Sequence, residues 1–193
     1  YYDPAIKELR LEHLRQFDKF SFHKGCVEDA DSVGRLFTSH TFDAVAHLAA
    51  QAGVRYSVDH PQVYVQSNLV GFQNVIELVR NHKVPNLVYA SSSSVYGGSK
   101  EYPFSESQNV NNPVSFYAAT KVSNELTAKA YANLYDLHST GLRFFTVYGP
   151  FSRPDMAMFK FAELMTRGEP LPIYNQGNMV RDFTYIDDII AVS

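Results

Sequence analysis

The spacing of apolar residues alternates between a helical and an extended period along this chain. Residues 4–17 carry apolar side chains at roughly helical spacing between charged ones and predict an exposed helix. Residues 20–25 alternate like a short strand that ends at a glycine, and residues 29–40 begin with capping aspartates and predict a second helix. Residues 43–49 are apolar enough for a strand inside a parallel sheet.

The same alternation continues through the middle of the chain. The predicted elements are a helix from Pro61 to about residue 82, a strand over residues 86–91, a surface loop over residues 98–114, a helix that carries Tyr117 and ends near residue 136, and a strand over residues 138–145. Strands and helices that alternate in this way predict right-handed crossovers and an α/β fold with a doubly wound parallel sheet.

The elements become shorter and less regular from about residue 151. Residues 155–167 predict an amphipathic helix, residues 171–174 and 180–186 predict short strands, and a further helix begins at Asp187. We therefore predict one domain over residues 1–150 and the beginning of a second, substrate-binding domain over residues 151–193.

Composition excludes several classes of protein. The 193 residues carry a net charge of −3 and 19% charged side chains, so no surface for nucleic acid is predicted. Cys26 has no partner for an internal disulfide, and the seven histidines lack metal-ligand spacing. No apolar run approaches the ~20 residues that a membrane span requires. These features predict a protein of a reducing compartment, the cytoplasm, with neither a metal site nor a membrane segment.

A tyrosine and a lysine share one face at the start of a predicted helix, in the pattern Tyr117-x-x-x-Lys121. Residues four apart on a helix place their Cβ atoms about 5–6 Å apart, so both side chains can serve one site. A phenol that titrates near ~10 is a poor base at neutral pH, but a neighbouring cation favours the phenolate. The pair has the chemistry that alcohol oxidation needs, and its plain alternative is a surface tyrosine beside a solvated lysine.

Short segments of small or polar residues follow the predicted strands, at residues 25–27, 49–52, 91–94 and 146–149. The carboxyl ends of parallel strands meet at one edge of a sheet, and ligands bind at that edge. The agreement of these segments with the Tyr117 and Lys121 pair predicts a ligand site there.

The glycine-rich turn that opens a dinucleotide-binding fold does not occur in this sequence. Such a fold begins with a strand, a Gly-x-x-Gly-x-x-Gly type of turn and a helix. Because the chain starts with Tyr1-Tyr2-Asp3-Pro4 and stops inside a predicted helix, we expect a piece of a longer chain that lacks the first β-α-β unit.

Six motifs occur in one order along the chain. They are His47-Leu48-Ala49-Ala50-Gln51-Ala52-Gly53-Val54-Arg55, Ser67-Asn68-Leu69-Val70-Gly71, Ser91-Ser92-Ser93-Ser94-Val95-Tyr96-Gly97, Tyr117-x-x-x-Lys121, Gly141-Leu142-Arg143-Phe144-Phe145-Thr146-Val147-Tyr148-Gly149-Pro150 and Arg181-Asp182-Phe183. In this order they resemble the extended short-chain dehydrogenase/reductase superfamily, and within it the nucleotide-sugar epimerases and dehydratases. Residues 49–56 and 149–160 look most like the UDP-glucuronate 4-epimerases.

The resemblance implies a Rossmann-like fold, NAD as cofactor and a UDP-sugar as substrate. It implies that Ser92, Tyr117 and Lys121 are catalytic, with Ser92 sharing the proton of a sugar hydroxyl with Tyr117 and Lys121 binding the nicotinamide ribose. The implied cofactor-binding residues are Val27, Leu48, Ala49, Ala50, Ala52, Asn68, Ser91, Tyr117, Lys121 and Phe144. Many relatives have an aspartate where this chain has Cys26, so the adenine contact falls to backbone groups near Val27.

The resemblance also implies a set of substrate-binding residues, which are Ser92, Ser93, Arg55, Thr146, Arg153 and Arg181. Arg181 is expected to grip the UDP pyrophosphate, and Arg55 to reach the phosphates or a sugar carboxylate. Thr146 and Arg153, with Ser93 as a third donor, suit the carboxylate of a uronic acid.

The absence of carboxylates beside Ser92 argues against two of the reactions known in the family, dehydration and decarboxylation. Related dehydratases place Asp-Glu, and decarboxylating relatives place a glutamate, where this chain has Ser93 and Ser94. What remains is epimerisation at C4 by transient oxidation, from UDP-glucuronate to UDP-galacturonate for polysaccharide synthesis. The alternatives are a neutral UDP-hexose 4-epimerase and a non-catalytic fragment. A homodimer is expected from the family, paired through the Tyr117 helix and the helix after Pro61.

Overall fold

The computed structural model describes residues 2–192. Its α-helices are α1 Ala5–Leu14, α2 Ala30–Ser39, α3 Tyr56–Asp59, α4 Pro61–Tyr64, α5 Gly71–Asn81, α6 Phe116–Tyr135, α7 Ala157–Thr166 and α8 Ile186–Val192. A π-helical turn over Val65–Val70 joins α4 to α5, and 3₁₀ turns cover Ser93–Tyr96 and Tyr174–Gly177. The strands are β1 Val45–His47, β2 Leu87–Ala90, β3 Ser139–Leu142, β4 Thr146–Tyr148 and β5 Phe183–Tyr185.

Three strands form a parallel sheet in the order β1-β2-β3. Val45 pairs with Leu87, and Leu87 pairs with Ser139, so the three strands run side by side in one direction. A separate parallel pair joins β4 to β5. The predicted parallel α/β fold is confirmed, and the carboxyl ends of β1, β2 and β3 share one edge.

Local signals account for where the helices begin and end. The Asp29 side chain accepts a hydrogen bond from the backbone N–H of Ser32 at 2.9 Å and caps α2 as predicted. Pro61 occupies the first position of α4. Asp136 ends α6 in the left-handed conformation, which stops the helix after twenty residues.

Three of the strand-related predictions are wrong. Residues 20–25 form no strand, since no described strand offers partners for their backbone groups. Residues 146–149, predicted as the segment that follows a strand, contain β4, because Thr146–Tyr148 pairs with β5. Residues 171–174 form no strand either, since Pro170 and Pro172 lack the backbone donors of a ladder.

Contacts divide the chain into two compact units, and each is described by itself. The first unit is Gly25–Phe144, with the three-stranded sheet and helices α2 to α6. The second unit combines the described residues up to 24 with those from 145 onward, and holds α1, the β4 and β5 pair, α7 and α8. The functional boundary at residue 150 stays a prediction.

The core of the first unit lies between the sheet and helices α2, α5 and α6. Its buried members are Phe37, Phe72, Val75, Ile76, Val79, Val84, Leu87, Tyr89, Ala128 and Leu137. Helix α5 supplies four of them at helical spacing on one face. This packing fixes α5 and the π-helical turn before it, which carries Asn68.

Candidate active site

Ser92 lies directly beyond the carboxyl end of β2. Its side-chain oxygen accepts a hydrogen bond from the backbone N–H of Ser94 at 3.1 Å and so caps the 3₁₀ turn Ser93–Tyr96. The backbone N–H of Ser93 donates to the Phe144 carbonyl at 2.8 Å, which ties this turn to the chain beyond β3. The turn also packs against α6, the helix that carries Tyr117. Ser92 therefore has a fixed place near that helix.

Tyr117 is the second residue of α6. The Ser115 hydroxyl oxygen caps the helix by accepting from the backbone N–H of Ala118 at 3.1 Å. The backbone N–H of Tyr117 donates to the Ser57 hydroxyl at 3.2 Å, and the Tyr117 ring meets the Tyr64 ring edge-on at 6.1 Å between centroids. The phenol is therefore held at the start of the helix by both its backbone and its ring.

Lys121 follows one helical turn later and is almost completely buried, with 3% of its surface exposed. Its ammonium donates to the carbonyl of Ala90, the last residue of β2, at 2.8 Å. Burial lowers the pKa of Lys121 to about 8. The pKa of His47, which is also buried, is lowered to about 4 by burial and by the Lys121 charge, so this imidazole is neutral at pH 7. The structure thus brings the Tyr117 helix turn, Lys121 and the Ser92 strand end together.

Asn68 ties the end of β1 to α6. Its side chain accepts from the Gln51 N–H at 2.7 Å and donates to the Gln51 carbonyl at 3.1 Å and to the Thr120 hydroxyl at 3.0 Å. Thr120 in turn donates to the Tyr117 carbonyl at 2.7 Å. The Asn68 side chain therefore holds the predicted cofactor-lining segment against α6.

A π-helical turn explains how Asn68 comes to occupy this position. The wider turn over Val65–Val70 departs from the α-helical register. The Asn68 carbonyl accepts from the Asn124 side-chain amide at 2.8 Å, so a backbone acceptor of this turn is satisfied from α6. Periodicity in the sequence gave no sign of the π-helical turn, because it does not interrupt the apolar pattern of the long helix.

The residues that follow β1 form an open strand end. Leu48 and Ala49 are exposed, and Ala50 and Ala52 are half-buried. The Tyr64 hydroxyl donates to the Ala52 carbonyl at 2.8 Å, which fixes the far end of this segment. Small side chains and one exposed leucine leave the backbone open to a ligand.

Three further predicted cofactor residues lie in the same unit. Val27 is held by its carbonyl, which accepts from the Asn74 side chain at 3.0 Å. The Ser91 hydroxyl donates to Glu125 at 2.5 Å, so toward a cofactor this oxygen would act as an acceptor. Phe144 is half-buried, and its carbonyl accepts from Ser93. Their roles toward NAD stay predictions.

The predicted substrate residues are divided between the two units. Arg55 is exposed just before α3, in the unit that contains Ser92 and Ser93. Thr146 begins β4 in the other unit, where Arg153 forms an ion pair with Asp155 at 3.2 Å. Arg181, also in that unit, is exposed and donates to the Val180 carbonyl at 2.9 Å. Their contacts with a substrate stay predictions.

Comparison with known proteins identifies the family. The model of the NAD dependent epimerase/dehydratase family matches residues 4–193. The chain belongs to this epimerase/dehydratase family. It is 51% identical over 190 residues to Protein CapI of Staphylococcus aureus, covering 98% of this chain and 57% of that protein. It is 46% identical over 190 residues to a probable UDP-glucuronate 4-epimerase of Rhizobium meliloti, covering 98% and 56%.

A solved structure shows the same family fold. The crystal structure of UDP-glucuronic acid 4-epimerase from Bacillus cereus, in complex with UDP-glucuronic acid and NAD, matches with a TM-score of 0.88 at 36% identity. The match covers 96% of this chain and 58% of that one. The chain therefore spans a little more than half the length of these relatives, and the predicted Rossmann-like fold of the epimerase/dehydratase family is confirmed.

The donors at this sheet edge fit the NAD of the epimerase/dehydratase family. An ammonium has three N–H donors, and among residues 2–192 the Lys121 ammonium has one acceptor, the Ala90 carbonyl. Two donors of a buried cation match the paired hydroxyls of a ribose. Leu48, which is 61% exposed just beyond β1, offers an apolar surface for a ring.

Sequence reasoning assigned no role to Glu125 and Arg143, two residues whose side chains form an ion pair beside Ser91. Glu125 lies one turn beyond Lys121 on α6, and its carboxylate accepts from the Ser91 hydroxyl and from Arg143. The available signal was the spacing Tyr117-x-x-x-Lys121-x-x-x-Glu125, which places three polar side chains on one helix face.

The described part of the chain contains neither a cluster of metal-binding side chains nor a helix suited to span a membrane. No group of three or more His, Cys, Asp or Glu side chains among residues 2–192 is placed to hold a metal ion. None of the helices within those residues is both long and apolar enough to cross a membrane.

Gly97 sets the turn that follows Ser92, and we expect Gly97→Ala to destabilise the protein by about 2–4 kcal/mol. Its φ of 59° disfavours any side chain, and an added Cβ would collide with the Asn112 carbonyl oxygen. Chemical denaturation measures the loss. Gly98→Ala is the matched control, because a Cβ there meets the Val114 side chain at an ordinary 3.7 Å. Equal free energies of unfolding for the two variants would contradict this account.

Proposed function

We propose that the full-length protein is a UDP-sugar 4-epimerase that uses NAD, and that its substrate is UDP-glucuronate. The observation that supports this most is the Lys121 ammonium, buried one helical turn after Tyr117 and hydrogen-bonded at 2.8 Å to the end of the strand that delivers Ser92. Tyr117 and Lys121 on successive turns of α6, and Ser92 beyond β2, supply a phenol, a cation and a hydroxyl, which suit proton removal from a sugar alcohol.

Three side chains of this site take part in the transfer of one proton. When bound, NAD supplies a hydride acceptor that is regenerated within each cycle. Tyr117 takes the proton of the C4 hydroxyl as general base and later returns it, and Ser92 shares that proton through its hydroxyl. Lys121 holds a positive charge beside the phenol, which favours the phenolate. The Asn68 side chain keeps the segment beyond β1 in a constant position relative to α6.

The choice of a uronic acid substrate rests on the serine turn of one unit and on two residues of the other unit, whose substrate roles the family resemblance implies. Ser93 and Ser94 offer hydroxyls and no carboxylate, so this turn supplies no extra acid or base for eliminating water. Thr146 and Arg153 supply donors suited to a carboxylate. However, Arg153 is paired with Asp155 at 3.2 Å, and this ion pair favours a second candidate, a 4-epimerase of neutral UDP-hexoses.

Two substrates distinguish these candidates. The purified full-length protein, supplied with NAD, is incubated with UDP-glucuronate or with UDP-glucose, and the products are separated by chromatography. We expect UDP-galacturonate from the first and, at equal concentration, at least tenfold slower conversion of the second. Conversion of UDP-glucose alone would replace our proposal with the neutral hexose epimerase. Conversion of neither, together with no NAD binding by calorimetry, would identify a non-catalytic protein.

Three further expectations follow from the family resemblance and stay predictions. The full-length protein is expected to form a homodimer through α6 and the helix after Pro61. It is expected in the cytoplasm, and its UDP-galacturonate is expected to feed polysaccharide synthesis.

A further inference from the structure

One carboxylate on the catalytic helix is held by groups from two strand ends. Glu125 accepts from the Ser91 hydroxyl, just beyond β2, at 2.5 Å. It also accepts two hydrogen bonds from Arg143, just beyond β3, at 2.9 and 2.8 Å. The side chains of Glu125 and Arg143 are only 17% and 18% exposed, so water screens this pair weakly. Glu125 and Arg143 therefore form a bidentate ion pair of fixed geometry.

Arg143 is itself fixed from its other side. Its remaining terminal nitrogen donates to the Glu106 carbonyl at 3.3 Å. Its guanidinium lies over the Tyr96 ring, 5.0 Å from the centroid, and Tyr96 stacks on Phe104 at 4.4 Å. These contacts define the direction in which Arg143 draws the Glu125 carboxylate.

This arrangement departs from what the helix alone would produce. Lys121 and Glu125 are four residues apart, and such a pair commonly forms an ion pair along a helix. Among residues 2–192 no ion pair joins them. The two side chains instead reach adjacent residues, since Lys121 donates to the Ala90 carbonyl and Glu125 accepts from Ser91. Residues four apart lie on one face of a helix, so a released Glu125 carboxylate would share that face with the Lys121 ammonium.

We propose that Arg143 is a positioning residue for the catalytic pair, because by holding Glu125 on Ser91 it prevents that carboxylate from neutralising Lys121. This inference deepens the proposed function and rests on it for its catalytic meaning. A Lys121 charge paired with Glu125 would favour the Tyr117 phenolate less, and the base would require a higher pH.

The other titratable groups around this pair do not take over that role. His47, on β1, is neutral at pH 7 and carries no charge. Tyr89, on β2, has its pKa raised to about 12 by burial and by Glu125, and stays neutral. Tyr96, on the 3₁₀ turn, lies against Arg143, and Tyr64, on α4, lies against Tyr117. Among these groups, Glu125 is thus the anion on the same helix face as Lys121.

The test compares Arg143→Met, Glu125→Gln and the double variant in the full-length protein. The titration of Lys121 is followed by NMR of isotope-labelled lysine side chains and assigned with Lys121→Met. In Arg143→Met we expect the measured pKa of Lys121 to rise by about one to three units and the acid limb of the pH-rate profile to move up by about one unit. Adding Glu125→Gln should return both values to those of the wild type.

Recovery of the Lys121 titration on adding Glu125→Gln distinguishes a positioning role of Arg143 from a purely structural one. If Arg143 only stabilised the fold, removing Glu125 as well would restore neither titration, and that result would overturn the proposal. An unchanged Lys121 titration in Arg143→Met would overturn it too. If Arg143→Met does not fold, Arg143→Lys should show a smaller shift in the same direction, and no shift would count against the inference.

The outcome of this test does not depend on the substrate. The lysine titration needs no sugar nucleotide, so it decides the inference even if UDP-glucuronate is not converted. Arg80→Met is the matched control, since it breaks the more exposed Arg80 and Glu77 pair on α5. It should leave the titration of Lys121 and the pH-rate profile unchanged.

Discussion

Replacing Tyr117 with Phe lowers the turnover number of the full-length protein by about 10²–10⁴-fold, the usual contribution of a general base. The substitution removes one oxygen and keeps the ring that packs edge-on against Tyr64. It also keeps the backbone N–H that donates to Ser57. The free energy of unfolding should therefore change by less than about 1 kcal/mol. Initial rates with UDP-glucuronate and NAD, together with denaturant unfolding, measure the two effects.

The control for this experiment is a tyrosine outside the site. Tyr102 is 73% exposed in the loop between the serine turn and α6, and Tyr102→Phe should retain the rate of the wild type. A Tyr117→Phe variant that keeps more than half of the wild-type rate would remove the phenol from the mechanism, whatever the substrate.

Replacing Lys121 with Met makes the protein inactive and more stable. Burial lowers the pKa of Lys121 from 10.5 to about 8, so keeping this group charged costs the folded protein about 3 kcal/mol at neutral pH. Methionine has a similar length and no charge. Because it also leaves the Ala90 carbonyl without its donor, we expect a net gain of about 1–3 kcal/mol in the free energy of unfolding at pH 7.

The pH dependence of the free energy of unfolding tests this prediction. Between pH 8 and 10.5 the unfolded chain still binds the Lys121 proton and the folded chain has released it. The stability of the wild type therefore rises over this window on account of Lys121. In Lys121→Met this rise should disappear, which denaturant unfolding without NAD at pH 7, 8, 9 and 10 would detect. Lys129→Met, an exposed position on the same helix, is the control. A loss of stability in Lys121→Met at pH 7 would show that the ammonium stabilises the fold.

Helix positions could be predicted because their signals are local. The Asp29 cap, Pro61 at a first helical position and the Tyr117 helix are encoded within a few residues, and all three appear in the structure. Strands depend on partners elsewhere in the chain, and residues 20–25 show this clearly. Their alternating pattern suits a strand, but without a described neighbour their backbone groups form no ladder.

The features of the candidate site also fall into those that the sequence predicted and those that it did not. The spacing of Tyr117 and Lys121 along a helix and the serine run after β2 were readable from the sequence. The burial of Lys121, the double hydrogen bond of Asn68 to Gln51 and the hold of Arg143 on Glu125 were not. Each of these joins groups that are at least 17 residues apart in the chain, or depends on what covers them.

The sequence by itself determined which chemical groups are present and which of them share a helical turn, because covalent order and helix geometry fix those relations. Only the tertiary structure decided the environment of each charge. Lys121 is buried where its ammonium meets the end of β2, and Glu125 faces Ser91 because the end of β3 places Arg143 beside it. Desolvation and ion pairing arise from groups that are brought together in space, so no local pattern could have specified them.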